Sequence, residues 1–280
     1  MKKRFELLLL IVFLILLISV IVASFVNSLT PSHPLSLTSR DKQTAIPGKL
    51  SWSDEFNGAY GATPDPTKWG LSTGGSGWGN KQLQYYTSTN AILDGQGSLL
   101  IKADNAHSQH LHCWYGTCQY VSARLTTARH FSFTYGELDA VITIPRGKGI
   151  WSAFWLAGAN CAVVGFPACG EIDIAESKGD GTVIESLHGP GLDQYMSYGR
   201  FGGSPHRYTL RWSPDSLNLL VDGTLKFTES RSQLGQRWVF DHPFYIILDV
   251  AVGGQWPGSP DTTTIFPQYM QVQYVRLTSL

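Results

Sequence analysis

A chain of 280 residues with 43% hydrophobic residues is long enough for one large domain or two small ones. Lys plus Arg equal Asp plus Glu at 21 each, and no basic patch or stripe offers a nucleic-acid footprint. The surplus lies in 29 Gly, 9 Trp, 12 Tyr and 13 Phe, a mixture that suits many short strands joined by tight turns and predicts an all-β domain.

At the N-terminus, Lys2, Lys3 and Arg4 precede an almost unbroken apolar run over residues 7–26, about the 20 residues a helix needs to cross a bilayer. The run exceeds the usual signal-peptide core of roughly 7 to 15 residues, and no clean small-x-small cleavage site follows it. A retained signal-anchor is therefore preferred for residues 1–27, with a cleaved signal peptide the open alternative. Basic residues ahead of the run put the start of the chain inside the cell and the rest outside. The expected location is extracellular, either secreted or tethered to the membrane by this segment. Residues 28–47, rich in Ser, Thr and Pro, are expected to be a linker. Residues 48–280 show no internal repeat or composition shift and are expected to form one domain.

Within that domain, strand-like segments alternate with turn signals and no long helical periodicity appears. The candidates are 98–103, 120–127, 135–144, 152–158, 170–176, 207–213, 217–223, 244–254 and 270–279. Asp222-Gly223 between apolar runs predicts a hairpin turn. Strands of this length and number predict two stacked antiparallel sheets, a jelly-roll sandwich. Cys113 and Cys118 flank WYGT, and Cys161 and Cys169 flank AVVGFPA; each pair is expected to close a short loop by a disulfide in an oxidising compartment. Free thiols and a metal site are the alternatives, the latter because His107, His110 and His112 lie near the first pair, although their spacing matches no zinc pattern.

The segment GEIDIAES, 170–177, holds Glu171, Asp173 and Glu176. On a regular strand the first two share a face and the third falls on the other. Exposed acids at alternate positions are the ordinary explanation. Here, though, only 15% of residues are charged, and the cluster follows the aromatic segment WSAFWLAG. Like charges held close raise one another's pKa. That serves glycosidic-bond cleavage, where retaining enzymes hold one ionised and one protonated carboxyl roughly 5 to 5.5 Å apart. A straight strand would separate the α-carbons of Glu171 and Glu176 by about 16 Å. A β-bulge between them would restore the phase and shorten the gap. Glu171 is then expected to be the nucleophile, Glu176 the acid and later the base, and Asp173 the group that tunes both. This chemistry requires no metal or other cofactor.

GEIDIAE preceded by FPACG resembles the catalytic signature of glycoside hydrolase family 16, in its laminarinase-like branch. The resemblance extends over SDEFNG near Asp54, DPTKW ending at Trp69, GWGNKQLQYYT from Gly77, YVSARLTT, YGELDAVITIPRGKGIWSAFWLAG and DVAVGGQWPG. It implies a jelly roll with a concave sheet forming an open cleft, and retaining, endo-acting hydrolysis of β-1,3 or mixed β-1,3/1,4 glucan. The expected partner is that polysaccharide, bound by a monomer. Asn80 matches a sugar-bonding asparagine, Trp151 and Trp155 match tryptophans of the cleft floor, His188 matches a histidine near the acid/base, and Trp256 matches a loop tryptophan of the cleft. Turn chemistry for Asn80, packing for the tryptophans and a plain surface loop for His188 are the alternatives. The chain departs from the family pattern at Gln82, Val141 and Asp249 and lacks a proline in WSAFW, which leaves the glucan contacts open. Calcium binds on the convex side of some relatives; its ligands are not mapped here. A non-catalytic glucan-binding protein and a transglycosylase on the same fold are the competing functions. Binding-only relatives typically lack one or both glutamates, and both stand here.

Overall fold

A computed structural model describes residues 48–105 and 111–280. The signal-anchor and linker expectations, and His107 and His110, fall outside these residues. Among the described residues, no helix is long and apolar enough to cross a membrane.

Two large sheets make up the domain. In one, the strands run in the spatial order Thr224–Ser230, Ser216–Val221, Pro205–Trp212, Gly136–Thr143, Gln268–Thr278, Leu99–Asn105, Tyr120–Ser122 and Gln84–Tyr86, with Leu50–Asp54 and Ala91–Leu93 pairing onto it. In the other the order is Leu192–Tyr198, Val183–Gly189, Glu171–Ser177, Ile150–Gly158, Phe244–Val252, Arg124–Thr126 and Gly70–Leu71. Pairing is antiparallel except between Gln84–Tyr86 and Tyr120–Ser122. The expected jelly-roll sandwich is therefore present. Alternation along Gly136–Thr143 sends Leu138, Ala140 and Ile142 inward. They meet Phe154, Leu156, Ile172, Leu187, Ile246 and Leu248 of the second sheet in one continuous core. Trp212 is wholly buried there, ringed edge-on by Phe133, Tyr135 and Phe244, and its indole N–H donates to the Phe240 carbonyl at 3.0 Å.

The Asp222-Gly223 turn stands as expected: both residues have positive φ, +50° and +77°, and Val221 pairs with Thr224. The expected strand 120–127 divides instead. Tyr120–Ser122 joins the first sheet and Arg124–Thr126 the second, with buried Ala123 at the crossing. The hairpin Val183–Gly189 and Leu192–Tyr198 has no counterpart among the expected strands. In Val183–Gly189 nearly every residue is buried on both faces, because one face meets the core and the other a polar cleft, so period-two hydrophobicity is absent.

Phe154, 0% exposed, packs into the core from the strand that presents Trp151 and Trp155 on its opposite face. Phe154→Ala is expected to cost about 3–5 kcal/mol. Tyr60→Ala, at a side chain 77% exposed, should stay within about 0.5 kcal/mol of wild type. Urea unfolding monitored by tryptophan fluorescence compares the two.

Candidate active site

The acid strand Glu171–Ser177 contains a bulge. Asp173 to Glu176 is three steps along its own strand but two along each neighbour, from Trp155 to Ala153 on one side and from Ser186 to Ile184 on the other. The extra residue restores the phase. Ile172, Ile174 and Ala175 enter the core, while Glu171 and Glu176 both line the opposite surface. Glu171 lies across from Ala157 and Glu176 across from Ala153, four positions on a regular strand, so the α-carbon gap shrinks from about 16 to about 13 Å before the side chains lean together.

A chain of polar contacts joins the three acids. The Trp151 indole N–H donates to Glu176 Oε1 at 2.9 Å. Ser186 Oγ lies 2.7 Å from Asp173 Oδ2 and 3.2 Å from Glu176 Oε2. A serine hydroxyl carries one proton, and the shorter contact takes it to Asp173. The contact to Glu176 is then satisfied when Glu176 itself is protonated and donates to Ser186. On the other flank, His188 Nε2 is 3.2 Å from Asp173 Oδ2 and 4.0 Å from Glu171 Oε1, and its Nδ1 is 3.0 Å from Asp193 Oδ1.

Burial first, and then the charge of Asp173, raises the proton affinity of both glutamates. Asp249 adds to the effect on Glu171 and Arg124 opposes it, leaving Glu171 at about 9. Glu176, more deeply buried, is pushed well above the usual carboxylate range despite the Trp151 hydrogen bond. Burial would lower the His188 pKa, but the hydrogen bond and charge of Asp173, with Asp193, raise it instead. Both glutamates thus favour the protonated form, and Glu176, the more deeply buried, holds its proton the more strongly.

Around the acids the surface is aromatic. Two cavities of about 460 and 440 Å³ share Asn80, Trp151, Glu171 and Glu176 and extend from them in different directions. One continues past Lys178, Tyr195 and Trp256, the other past Trp78, Trp155 and Phe166. Trp151 and Trp155 share a face, as their spacing predicted. Trp155 Nε1 donates to Asp249 Oδ1 at 2.7 Å, and Tyr86 Oη donates to Asp249 Oδ2 at 2.8 Å. The Arg124 guanidinium sits 5.4 Å from the rings of both Trp78 and Trp155. Trp256 packs against Trp151 with centroids 5.0 Å apart, under the Lys178 ammonium at 4.9 Å.

The expected site residues thus come together, with two differences of detail. Asn80 lines the cleft, but its Oδ1 accepts from the backbone N–H of Gln255 and Trp256 at 2.9 and 3.1 Å, so any hydrogen bond to sugar comes from its amide nitrogen. His188 was expected beside the acid/base; the register sets it opposite Glu171, with its ring nearest Asp173. Sequence reasoning missed Ser186, Arg124, Tyr86, Trp78 and Phe166. Ser186 had a signal, since it shares its strand face with His188 two positions on. Both disulfides form, Cys113 with Cys118 and Cys161 with Cys169, which leaves no thiolate for a metal. Among the described residues, one trio of His, Cys, Asp or Glu brings its ligand atoms within 4.8 Å of one another, namely Glu171, Asp173 and His188. That trio lies in the cleft.

A two-sheet sandwich that lays paired carboxyls on an aromatic groove is the architecture of a glycoside hydrolase. The model of "Glycosyl hydrolases family 16" matches residues 79–276, and the chain belongs to this family. It is 34% identical over 266 residues to a beta-glucanase of Rhodothermus marinus, covering 86% of this chain and 89% of that one. The laminarinase catalytic domain of Thermotoga maritima superposes with a TM-score of 0.77 at 40% identity, covering 84% of this chain and 99% of that domain. The endo-beta-1,3-glucanase of Pyrococcus furiosus superposes with a TM-score of 0.78 at 38% identity, covering 83% and 94%.

A carboxyl whose folded pKa is raised stabilises the fold fully below its unfolded value and loses that contribution as pH climbs through the folded value. For Glu171 the window runs from 4.5 to about 9. Glu171→Gln keeps the shape and removes the titration. The variant's melting temperature should exceed that of wild type by a margin that widens from pH 5 to pH 9, as calorimetry can show; a margin that is flat or narrows with pH would contradict the assignment.

Proposed function

We propose that this protein is an endo-acting, retaining hydrolase of β-glucan that cuts internal β-1,3 bonds, in pure or mixed β-1,3/1,4 chains. The observation that carries the reading is the placement of Glu171 and Glu176 on one face across the bulge, with groove on either side of them. Groove beyond both ends of the reacting pair accommodates a chain that continues in both directions, which favours internal cleavage over trimming from an end. Aromatic faces along it suit the apolar faces of pyranose rings. The similarity to a laminarinase domain and an endo-beta-1,3-glucanase supports the linkage.

In the first step a Glu171 oxygen bonds to the anomeric carbon as the glycosidic C–O bond breaks, and the Glu176 proton passes to the departing oxygen. In the second, water bonds to the same carbon, gives its proton to Glu176, and the bond to Glu171 breaks. Arg124 favours the Glu171 anion, both before attack and as it leaves. Trp151 holds the Glu176 carboxyl in place, and Asp173 with Ser186 links the two halves of the site. The two disulfides fit an oxidising compartment, so the proposal sets the domain outside the cell.

Glu171→Ala and Glu176→Ala should each lower laminarin hydrolysis by about 10²–10⁴-fold, measured as new reducing ends. Azide should partly restore turnover in Glu176→Ala, by attacking the glycosyl-enzyme without a base, breaking its bond to Glu171 and leaving a β-glycosyl azide, whereas any azide product of Glu171→Ala should be the α-anomer. Proton NMR of the first products should show the β-anomer. An α-anomer, or full activity in both variants, would rule the mechanism out.

A further inference from the structure

The cleft rim over residues 74–83 is a turn-rich segment, held from within by Asn80 and Gln82 N–H donating to the Gly77 carbonyl and the Trp78 indole N–H donating to the Gly74 carbonyl, each at 3.0 Å. Gly74, Gly77 and Gly79 have positive φ, as do Trp78 at +48° and Lys81 at +53°. Such a segment loses much conformational entropy when it is ordered, yet it carries Trp78, Asn80 and Gln82 to the groove. Further support comes from outside. The hairpin over 111–118, with His112 paired to Thr117 and Cys113 to Gly116, is closed by the Cys113–Cys118 disulfide and lies along it. Trp114 N–H donates to the Gly75 carbonyl at 2.8 Å. The Trp114 indole N–H donates to the Gln82 carbonyl at 2.8 Å, and Tyr115 Oη donates to the Leu83 carbonyl at 2.6 Å. The fit is close: a Cβ on Gly75 would stand 2.5 Å from Cys113 Sγ, and one on Gly77 3.0 Å from Trp114 Cδ1. On its far side the same rim grips the loop that bears Trp256, through the Asn80 side chain.

We propose that the disulfide-closed hairpin is a positioning device for glucan binding: Trp114 and Tyr115 hold the rim, and through Asn80 the Trp256 loop, in the shape that receives the chain. Glucan affinity then depends on the Cys113–Cys118 bond while the bond-breaking step does not, because none of the hairpin contacts reaches Glu171, Asp173 or Glu176. This rests on the glucan-hydrolase reading above.

Trp114→Phe and Tyr115→Phe each keep a ring and remove one donor; the double variant Cys113→Ser/Cys118→Ser opens the hairpin. Two readouts are taken on the whole protein: laminarin kinetics, and amide hydrogen exchange by mass spectrometry over 74–83 and over 171–177. Loss of one rim hydrogen bond should raise KM about fivefold, and the double variant should raise it further, with kcat within about twofold of wild type. Exchange should quicken over 74–83 and stay unchanged over 171–177. Unchanged exchange over 74–83 in all three variants overturns the proposal, as does quickened exchange with KM unaltered, or a fall in kcat alone. If wild type releases no sugar from laminarin, the hydrolase reading fails by itself, and the exchange arm still decides whether the hairpin braces the rim.

Discussion

The extra residue in the acid strand sets the terms for the rest of the molecule. Strand side chains alternate without exception unless a residue is left out of the ladder, and an unbroken Glu171–Ser177 would aim Glu176 between the sheets. A carboxyl there, among Ile172, Leu187 and Leu248, would have neither water nor an indole N–H, a costly arrangement even when neutral. Setting one residue out of register, between Asp173 and Glu176, instead sends Ile174 and Ala175 into the core, where both are buried. The lost pairing is offset by apolar burial on one face, and the other face receives a third acid.

Gathering three acids in a partly dry groove has its own cost, visible in the raised proton affinity of both glutamates. The neighbours divide the labour unequally. The Arg124 guanidinium opposes the burial of Glu171, while Glu176 is met by the neutral Trp151 indole and the Ser186 hydroxyl. Two identical side chains five residues apart thereby acquire different protonation preferences, which is the asymmetry an acid and a nucleophile require. The fold carries this tension because a large core between the two sheets supports it from behind.

The groove combines two kinds of support. Its floor is sheet, with Trp151 and Trp155 fixed by neighbouring strands and by hydrogen bonds to Glu176 and Asp249. Its rim is loop, held by donors to its backbone carbonyls, by the Asn80 side-chain carbonyl and by a short disulfide-closed hairpin. Asp249 belongs to the floor: it anchors both Trp155 and Tyr86 while adding negative charge near Glu171, so the position that departs from the family pattern is wired into both the sugar platform and the nucleophile.

Much of this was legible in the amino-acid sequence, because its causes are local. Alternation along 135–144, the Asp-Gly turn and the crowding of acids after WSAFWLAG follow from side-chain periodicity and turn chemistry; even the bulge could be inferred from the parity of Glu176. The strand Val183–Gly189 could not, since burial on both faces erases its period, leaving the two-residue spacing from His188 as the one signal for Ser186. Nor could the division of 120–127 between two sheets, because a strand's partner is chosen by distant segments. His188 beside Glu171, Arg124 between two tryptophans, and the Cys113–Cys118 hairpin against the Asn80 rim join residues far apart in the chain. The sequence by itself determined which chemistry the residues can perform and which faces they occupy on their own strands. Tertiary structure alone decided how strongly each glutamate holds a proton, because that depends on burial and on charges brought in from other strands.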